Sequence, residues 1–458
     1  MKIKQVSVTK LFGMFNHIIP FNLNEHITII HGSNGLGKTA LLRIINGFFN
    51  NRFSELRSIP FEQFKIDFDD DSSLRITRSP DAREEKSDSE HAQGRLMAEF
   101  TPPDGEEPLT FELGVTTGTE NFRGALQYID SVVAGVVRVG KDQWRVPPNA
   151  SSVSSEELVE RYQELLPRGV YKFLETQSLF GDSLQNRQKL NHIRSQIDVR
   201  FIETQRLVSW SQSPRSRGHE TTDTVTPVVA MYSEELATII QKKFNEYAGL
   251  SQSLDETFPR RVIDRDPDAT LSLEQLGEKL MSLEKKRERL REAGLLEKEA
   301  HYFDGVPTSI DDVTRNVLSV YAADMDKKLS VFSDVTDKIE LLKQFVKDHF
   351  LYKELLISKE KGFILRSTRT NEPLEPTRLS SGEQHELVLL YELLFRVKPN
   401  SLILIDEPEI SLHVDWQAQF LEDLNNVIKL SPFDVLIATH SPQIINTRWD
   451  LTVELEAK

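Results

Sequence analysis

The sequence predicts an α/β fold in which the two ends of the chain build one lobe and a helical region is inserted between them. Three observations predict it. A glycine-rich string, HGSNGLGKT, stands between the strand-like ITII and the helical TALLRIINGFF. Near the other end, SLILID and DVLIATH are continuous apolar runs of the kind buried in parallel sheets, and they flank the amphipathic WQAQFLEDLNNVIK. Between the ends, apolar residues recur at helical spacing from Val228 to about Lys361.

From Met1 to about Gly114 the pattern is β-rich. IKQVSVTKLF, the run Ile18 to Ile30, FEQFKIDF, SLRITRS, RLMAEF and PLTFELG are separated by polar turns. The interrupting helix places Leu41, Leu42, Ile45 and Phe48 on one side. Asp69, Asp70 and Asp71 fall between two strand patterns and read as a solvated hairpin turn rather than a metal cluster. The Ser/Pro-rich stretches Ser79 to Gly94 and Ser211 to Pro227 read as mobile loops. Leu276, Leu280, Leu283 and Leu290 sit at heptad-like spacing. A second long pattern runs through Val313, Val317, Tyr321, Leu329, Phe332, Ile339, Leu342 and Phe345. Too few heptads follow for a rod, so a helical hairpin or short coiled coil is expected. The expected division is an N-terminal lobe over 1–208, a helical insertion over 209–361 and a C-terminal lobe over 362–458.

With 458 residues the chain exceeds one average domain. A 38% hydrophobic and 28% charged content supplies a globular core. No apolar run approaches the ~20 residues of a membrane span, and MKIKQVSVTKLF lacks the apolar region of a signal peptide, so a cytoplasmic location without membrane attachment is expected. The absence of cysteine excludes disulfides, thiolate zinc sites and a cysteine nucleophile. Lys and Arg number 56 against 71 Asp and Glu, a net charge of −15, which disfavours nonspecific nucleic-acid binding by a positive coat and leaves a local basic patch open.

Gly32, Gly35, Gly37, Lys38 and Thr39, with Asn34 in the loop, fit G-x-x-x-x-G-K-[ST] in the strand–loop–helix context of a phosphate-binding P-loop. Backbone N–H groups curl round the phosphates of ATP, Lys38 supplies a point charge, and Thr39 offers a hydroxyl to Mg2+. In LILIDEPE an apolar strand ends in Asp406 and Glu407. At that strand end Asp406 would hold magnesium and Glu407 would orient or deprotonate the attacking water.

TRLSSGEQ, with Ser380, Ser381, Gly382, Glu383 and Gln384, resembles the signature motif of ABC-type ATPases, with Ser381 where many members have glycine and Glu383 where many have glutamine. Taken alone, the string also fits a Ser380 N-cap with Glu383 as its capping-box partner. The resemblance implies that Ser380 and Gly382 contact nucleotide from a second copy, so that ATP lies across a head-to-head dimer. It further implies that SLHVDWQ is the D-loop, that His440 in LIATHSPQII is the switch histidine facing the γ-phosphate, and that Gln205 in FIETQRLVSW is the Q-loop glutamine, near both the metal and the attacking water.

Lys38 and Ser380 are 380 − 38 = 342 residues apart, unlike the compact domains of transporter ATPases. Such split heads resemble the SMC-like and RecF-like repair ATPases and the OLD-family defence ATPases. Only 458 − 440 = 18 residues follow His440, so the TOPRIM nuclease of OLD proteins is not expected here. By layout the chain is most similar to the stand-alone ATPases of bacterial anti-phage defence, those of the PARIS system first and those of the Septu system second. The resemblance implies a homodimer or higher oligomer, a separate TOPRIM- or HNH-type effector nuclease and a phage-derived trigger. The alternative is a repair ATPase that clamps DNA. A scaffold without turnover would have no chemical need for Glu407.

Overall fold

Strands from both chain ends interleave in one parallel sheet. Its order is Val199–Ile202, Leu402–Asp406, Asp434–Ala438, Ile27–His31, Thr452–Glu454, and every neighbouring pair is parallel. Neither end can complete this sheet alone, so the α/β head is assembled from N- and C-terminal lobes as the sequence predicts. Leu402–Asp406 and Asp434–Ala438 are buried at every position, the environment their unbroken apolar runs require.

The computed structural model describes residues 1–79, 95–103, 107–113, 123–133, 135–140, 143–146, 151–162, 184–203, 207–211, 224–264, 271–297 and 310–456. Most of the two expected polar loops, 80–94 and 212–223, lie outside the described residues, as does Gln205. The chain divides into two compact units, Met1–Thr226 with Arg396–Lys458, and Pro227–Phe395. No helix among the described residues is long and apolar enough to cross a membrane.

In the first unit a six-stranded antiparallel sheet has the order Phe15–Pro20, Ile3–Leu11, Gln63–Phe68, Ser73–Ser79, Arg95–Thr101, Leu109–Leu113. Its half-buried strands alternate, as in Gln63–Phe68, where Phe64, Ile66 and Phe68 point inward. Asp69, Asp70 and Asp71 join Gln63–Phe68 to Ser73–Ser79, and Asp70 Oδ1 accepts from the Ser72 N–H at 3.1 Å, a hairpin turn as predicted. The Lys38–Phe49 helix buries more than the expected stripe, since Ile44 and Phe49 are buried as well. It shares one core with Val6, Val8 and Ile66 of the antiparallel sheet and Leu404 and Leu436 of the parallel sheet, so little of its circumference faces water.

The second unit is mainly helical. Val228–Ile263 and Leu273–Glu292 each pack with Asp312–Ser330, and Ser333–His349 follows. A Ser272–Gln275 capping box starts the second helix, and its four heptad leucines are buried. Ion pairs run between the helices. Arg261 grips Asp324 with two nitrogens at 2.5 and 2.7 Å, and Lys279 meets Asp326 at 2.7 Å. The second predicted long pattern is two helices rather than one, broken at Val331 and Phe332, and Val313 at its start is 58% exposed.

The helical period also ends earlier than predicted. His349 closes the helix, Phe350 is extended and Tyr352 takes φ 60°, after which Lys353–Ser358 pairs antiparallel with Gly362–Ser367. At the hairpin turn Gly362 has φ 77°, and a Cβ there would lie 1.7 Å from the Ser233 carbonyl oxygen. Ser233 Oγ donates to the hairpin at the Lys361 and Phe363 carbonyls, 2.6 and 2.7 Å away. Glycine lets the hairpin sit this close to the Val228–Ile263 helix.

Candidate functional site

The three central strands carry the site at one edge. Ile27–His31 runs into the glycine loop, Leu402–Asp406 ends in the acidic pair, and Asp434–Ala438, lying between them, leads to His440. Because the strands are parallel, their C-terminal ends open on the same side, where α/β sheets place ligands. Thr39 Oγ1 donates to Asp406 Oδ1 at 3.0 Å.

Local sequence shapes the loop. Gly32 takes φ 147°, and a Cβ there would stand 2.8 Å from the Leu455 carbonyl oxygen, so the chain passes where a side chain cannot. Asn34 and Gly35 form the exposed bend, and Gly37 in the left-handed region caps the Lys38–Phe49 helix. The N–H groups of that helix's first turn face the loop. The buried Lys38 donates through Nζ to the Gly32 and Ser33 carbonyls at 2.8 and 3.2 Å, placing its charge across the loop mouth. His17, 3% exposed, donates from Nε2 to the Leu36 carbonyl at 2.9 Å and braces the loop from the antiparallel sheet. Sequence reasoning missed His17, because nothing local distinguishes it from any strand histidine.

The acidic pair sits at a strained bend of the backbone. Glu407 takes φ 44° and ψ 57°, a region a non-glycine residue occupies at a cost of order 1 kcal/mol. Its N–H donates to the Ala438 carbonyl at 2.8 Å, which ties the bend to the neighbouring strand. Burial raises the Asp406 carboxyl to about 6, with Thr39's hydrogen bond opposing and the Glu407 charge reinforcing the rise. A cation would relieve that burden. Thr39 Oγ1 and the Asp406 carboxylate are hard oxygen donors already within hydrogen-bond reach of each other, so these residues fit magnesium, and the loop with Lys38 fits a polyphosphate.

His440 Nδ1 lies 3.1 Å from Glu409 Oε1 and 3.8 Å from Glu407 Oε1. Glu409 was not singled out from the sequence. The signal was present as a third acidic residue in the string DEPE, two places beyond Glu407. The D-loop-like string opens the Val414–Leu430 helix, with His413 Nδ1 accepting from the Asp415 N–H at 3.4 Å.

Ser380 and Gly382 lie in the second compact unit. Ser380 caps the Ser381–Tyr391 helix, and the capping box with Glu383 is formed. The Ser380 N–H donates to Glu383 Oε2 at 3.0 Å, and Lys353 Nζ donates to Glu383 Oε1 at 2.6 Å. Burial pushes the Glu383 carboxyl up, but the hydrogen bonds from Lys353 and Ser380 outweigh it and leave the group below the ordinary carboxylate range. Glu383 thus serves the helix start, while Ser381 is exposed and Gly382 half-buried beside it.

Residues 1–445 match the model of a family described as AAA ATPase domain. The protein ea59 of Escherichia phage lambda is 37% identical over 68 residues, which cover 15% of this chain and only 13% of that protein's length. Among solved structures, the Smc head domain of Pyrococcus furiosus, bound to the C-terminal domain of ScpA, aligns at 11% identity and a TM-score of 0.34, covering 100% of this chain and 94% of that one. The SMC head domain from Thermotoga maritima aligns at 12% identity and 0.31, covering 97% and 91%.

Proposed function

This chain belongs to the AAA ATPase domain family, and from that premise we propose that it binds ATP with magnesium on the Gly32–Thr39 loop and hydrolyses it with Glu407 as the base for water. One observation carries the reading. Thr39 and Asp406, from opposite ends of the chain, meet at 3.0 Å with Glu407 next in sequence, beside Lys38. Thr39 and Asp406 hold the metal, Lys38 meets the β- and γ-phosphates, and His440 faces the γ-phosphate. Gln205 adds a further contact to metal and water.

The signature residues Ser380 and Gly382 belong to a nucleotide on a second copy, which makes the working form a dimer with two shared sites. By the likeness of its layout to stand-alone defence ATPases, the protein acts as a sensor and scaffold in anti-phage defence. It controls a separate effector nuclease, with the helices between Val228 and Lys361, or loops near them, as the assembly surface.

Mixing variants tests the shared site. Lys38→Ala and Ser380→Arg chains, each inactive alone, should regain partial ATPase activity as mixed dimers; no rescue in demonstrated mixed dimers contradicts it. The purified protein should leave DNA and RNA intact with magnesium or manganese. Metal-dependent cleavage abolished by a point substitution in this chain would overturn the sensor reading.

A further inference from the structure

We infer that Glu409 is a positioning residue that holds the His440 ring with its Nδ1–H turned inward and Nε2 left to face the nucleotide. The inference rests on the proposed role of His440 at the γ-phosphate. Glu409 lies in the short turn Pro408–Ser411, and its side chain is 6% exposed against 43% for His440. One oxygen, Oε1, meets the histidine twice. It accepts from the His440 backbone N–H at 2.9 Å and lies 3.1 Å from Nδ1. Oε1 can only accept, so its approach to Nδ1 favours the ring form that carries the proton on Nδ1 and leaves Nε2 unprotonated.

Two further observations set Glu409 apart from a backbone cap. Its other oxygen, Oε2, is buried with no hydrogen-bond partner among the described residues. Capping a single N–H would be achieved more cheaply by a neutral amide, since a buried carboxylate with an unsatisfied oxygen is costly. The charge therefore has a use that capping does not explain, and the imidazole is the group beside it. The turn itself is fixed on both sides. Gln417 Nε2 donates to the Glu409 and Leu412 carbonyls, each at 3.2 Å, while Gln417 Oε1 accepts from Ser441 Oγ at 2.9 Å. This amide links the residue after His440 to the turn that carries Glu409. A carboxylate behind a histidine, itself held by outer hydrogen bonds, is the arrangement that fixes tautomer and ring direction at metal and triad sites.

The test uses full-length protein with ¹⁵N-labelled histidine, the His440 signal being the one lost in His440→Ala. In the parental protein that signal should report the Nδ1–H form. In Glu409→Met, which removes the acceptor at nearly the same side-chain length, the bias should be lost, whereas Glu409→Gln, whose amide oxygen still accepts from Nδ1–H, should keep it. Turnover of Glu409→Met should fall about 10- to 100-fold, with the Kd for a non-hydrolysable ATP analogue within about twofold. Adding Glu409→Met to His440→Ala should lower kcat no further. An unchanged His440 tautomer in Glu409→Met, or parental kcat in Glu409→Met where His440→Ala is impaired, overturns the inference alone. Parental kcat in His440→Ala instead contradicts the role given to His440 in the proposed function.

Discussion

Thr39 and Asp406, 367 residues apart in sequence, are joined by a hydrogen bond of 3.0 Å. The contact exists because Ile27–His31 and Leu402–Asp406 stand on either side of Asp434–Ala438 in one parallel sheet. A chain broken between these ends would have to bring them together without the covalent link, so the site depends on the whole head rather than on either motif.

Lys38→Ala should abolish most nucleotide affinity while leaving the fold intact. Its amine is held by two carbonyls of the loop, and a hydrogen bond to a charged group contributes about 1.5–3 kcal/mol, so the Kd for ATP should rise about 10- to 100-fold. Calorimetric titration measures it. A parental Kd in the variant would place the phosphates elsewhere.

Asp406 makes the head sensitive to pH when metal is withheld. Its carboxyl titrates at 3.8 unfolded and at about 6 in the fold. The folded state therefore keeps a proton that the unfolded chain releases, a stabilisation fully present below about pH 4 and lost as pH rises through 6. Asp406→Asn removes that loss. With EDTA present, denaturant unfolding should show the variant gaining on the parent between pH 4 and 7 by about 2–3 kcal/mol. Magnesium at pH 7 should stabilise the parent and not the variant. A stability difference that is the same at both pH values contradicts the account.

Two glycines of the helical unit should respond in opposite directions. Gly362→Ala drives a Cβ to 1.7 Å from the Ser233 carbonyl oxygen at φ 77°, and should cost about 2–3 kcal/mol. Gly249 is exposed within the Val228–Ile263 helix, and a Cβ added there would meet nothing within 4 Å, so Gly249→Ala should stabilise by about 0.5–1 kcal/mol. Thermal unfolding of both variants checks the pair, and a neutral Gly362→Ala would mean that the hairpin does not seat against the helix as described.

What was legible in the sequence was what local pattern decides. The glycine string between strand and helix, the acidic pair after an apolar run and His440 after another all name an element and its end, and parallel strands then bring those ends together. The Ser380–Glu383 capping box is likewise a four-residue pattern. His17 was not legible, because its partner, Leu36, lies 19 residues away and is met only once the sheets have formed; Glu409 stood in the string DEPE as a third acidic residue, but its partner, His440, 31 residues on, is met only once the strands have paired. The hairpin from Lys353 was hidden for a different reason. KELLISKEKGFILRS mixes helix-forming charges with apolar residues, and only tertiary packing at Gly362 and Ser233 decides in favour of strands.

Glu407→Gln is the most direct test of the proposed chemistry, because it keeps the shape of the side chain and removes the base. ATP binding should stay within about twofold of the parent, while single-turnover hydrolysis should slow by about 10²- to 10⁴-fold. Hydrolysis at the parental rate by this variant would contradict the account, and the activation of water would have to be assigned to another residue.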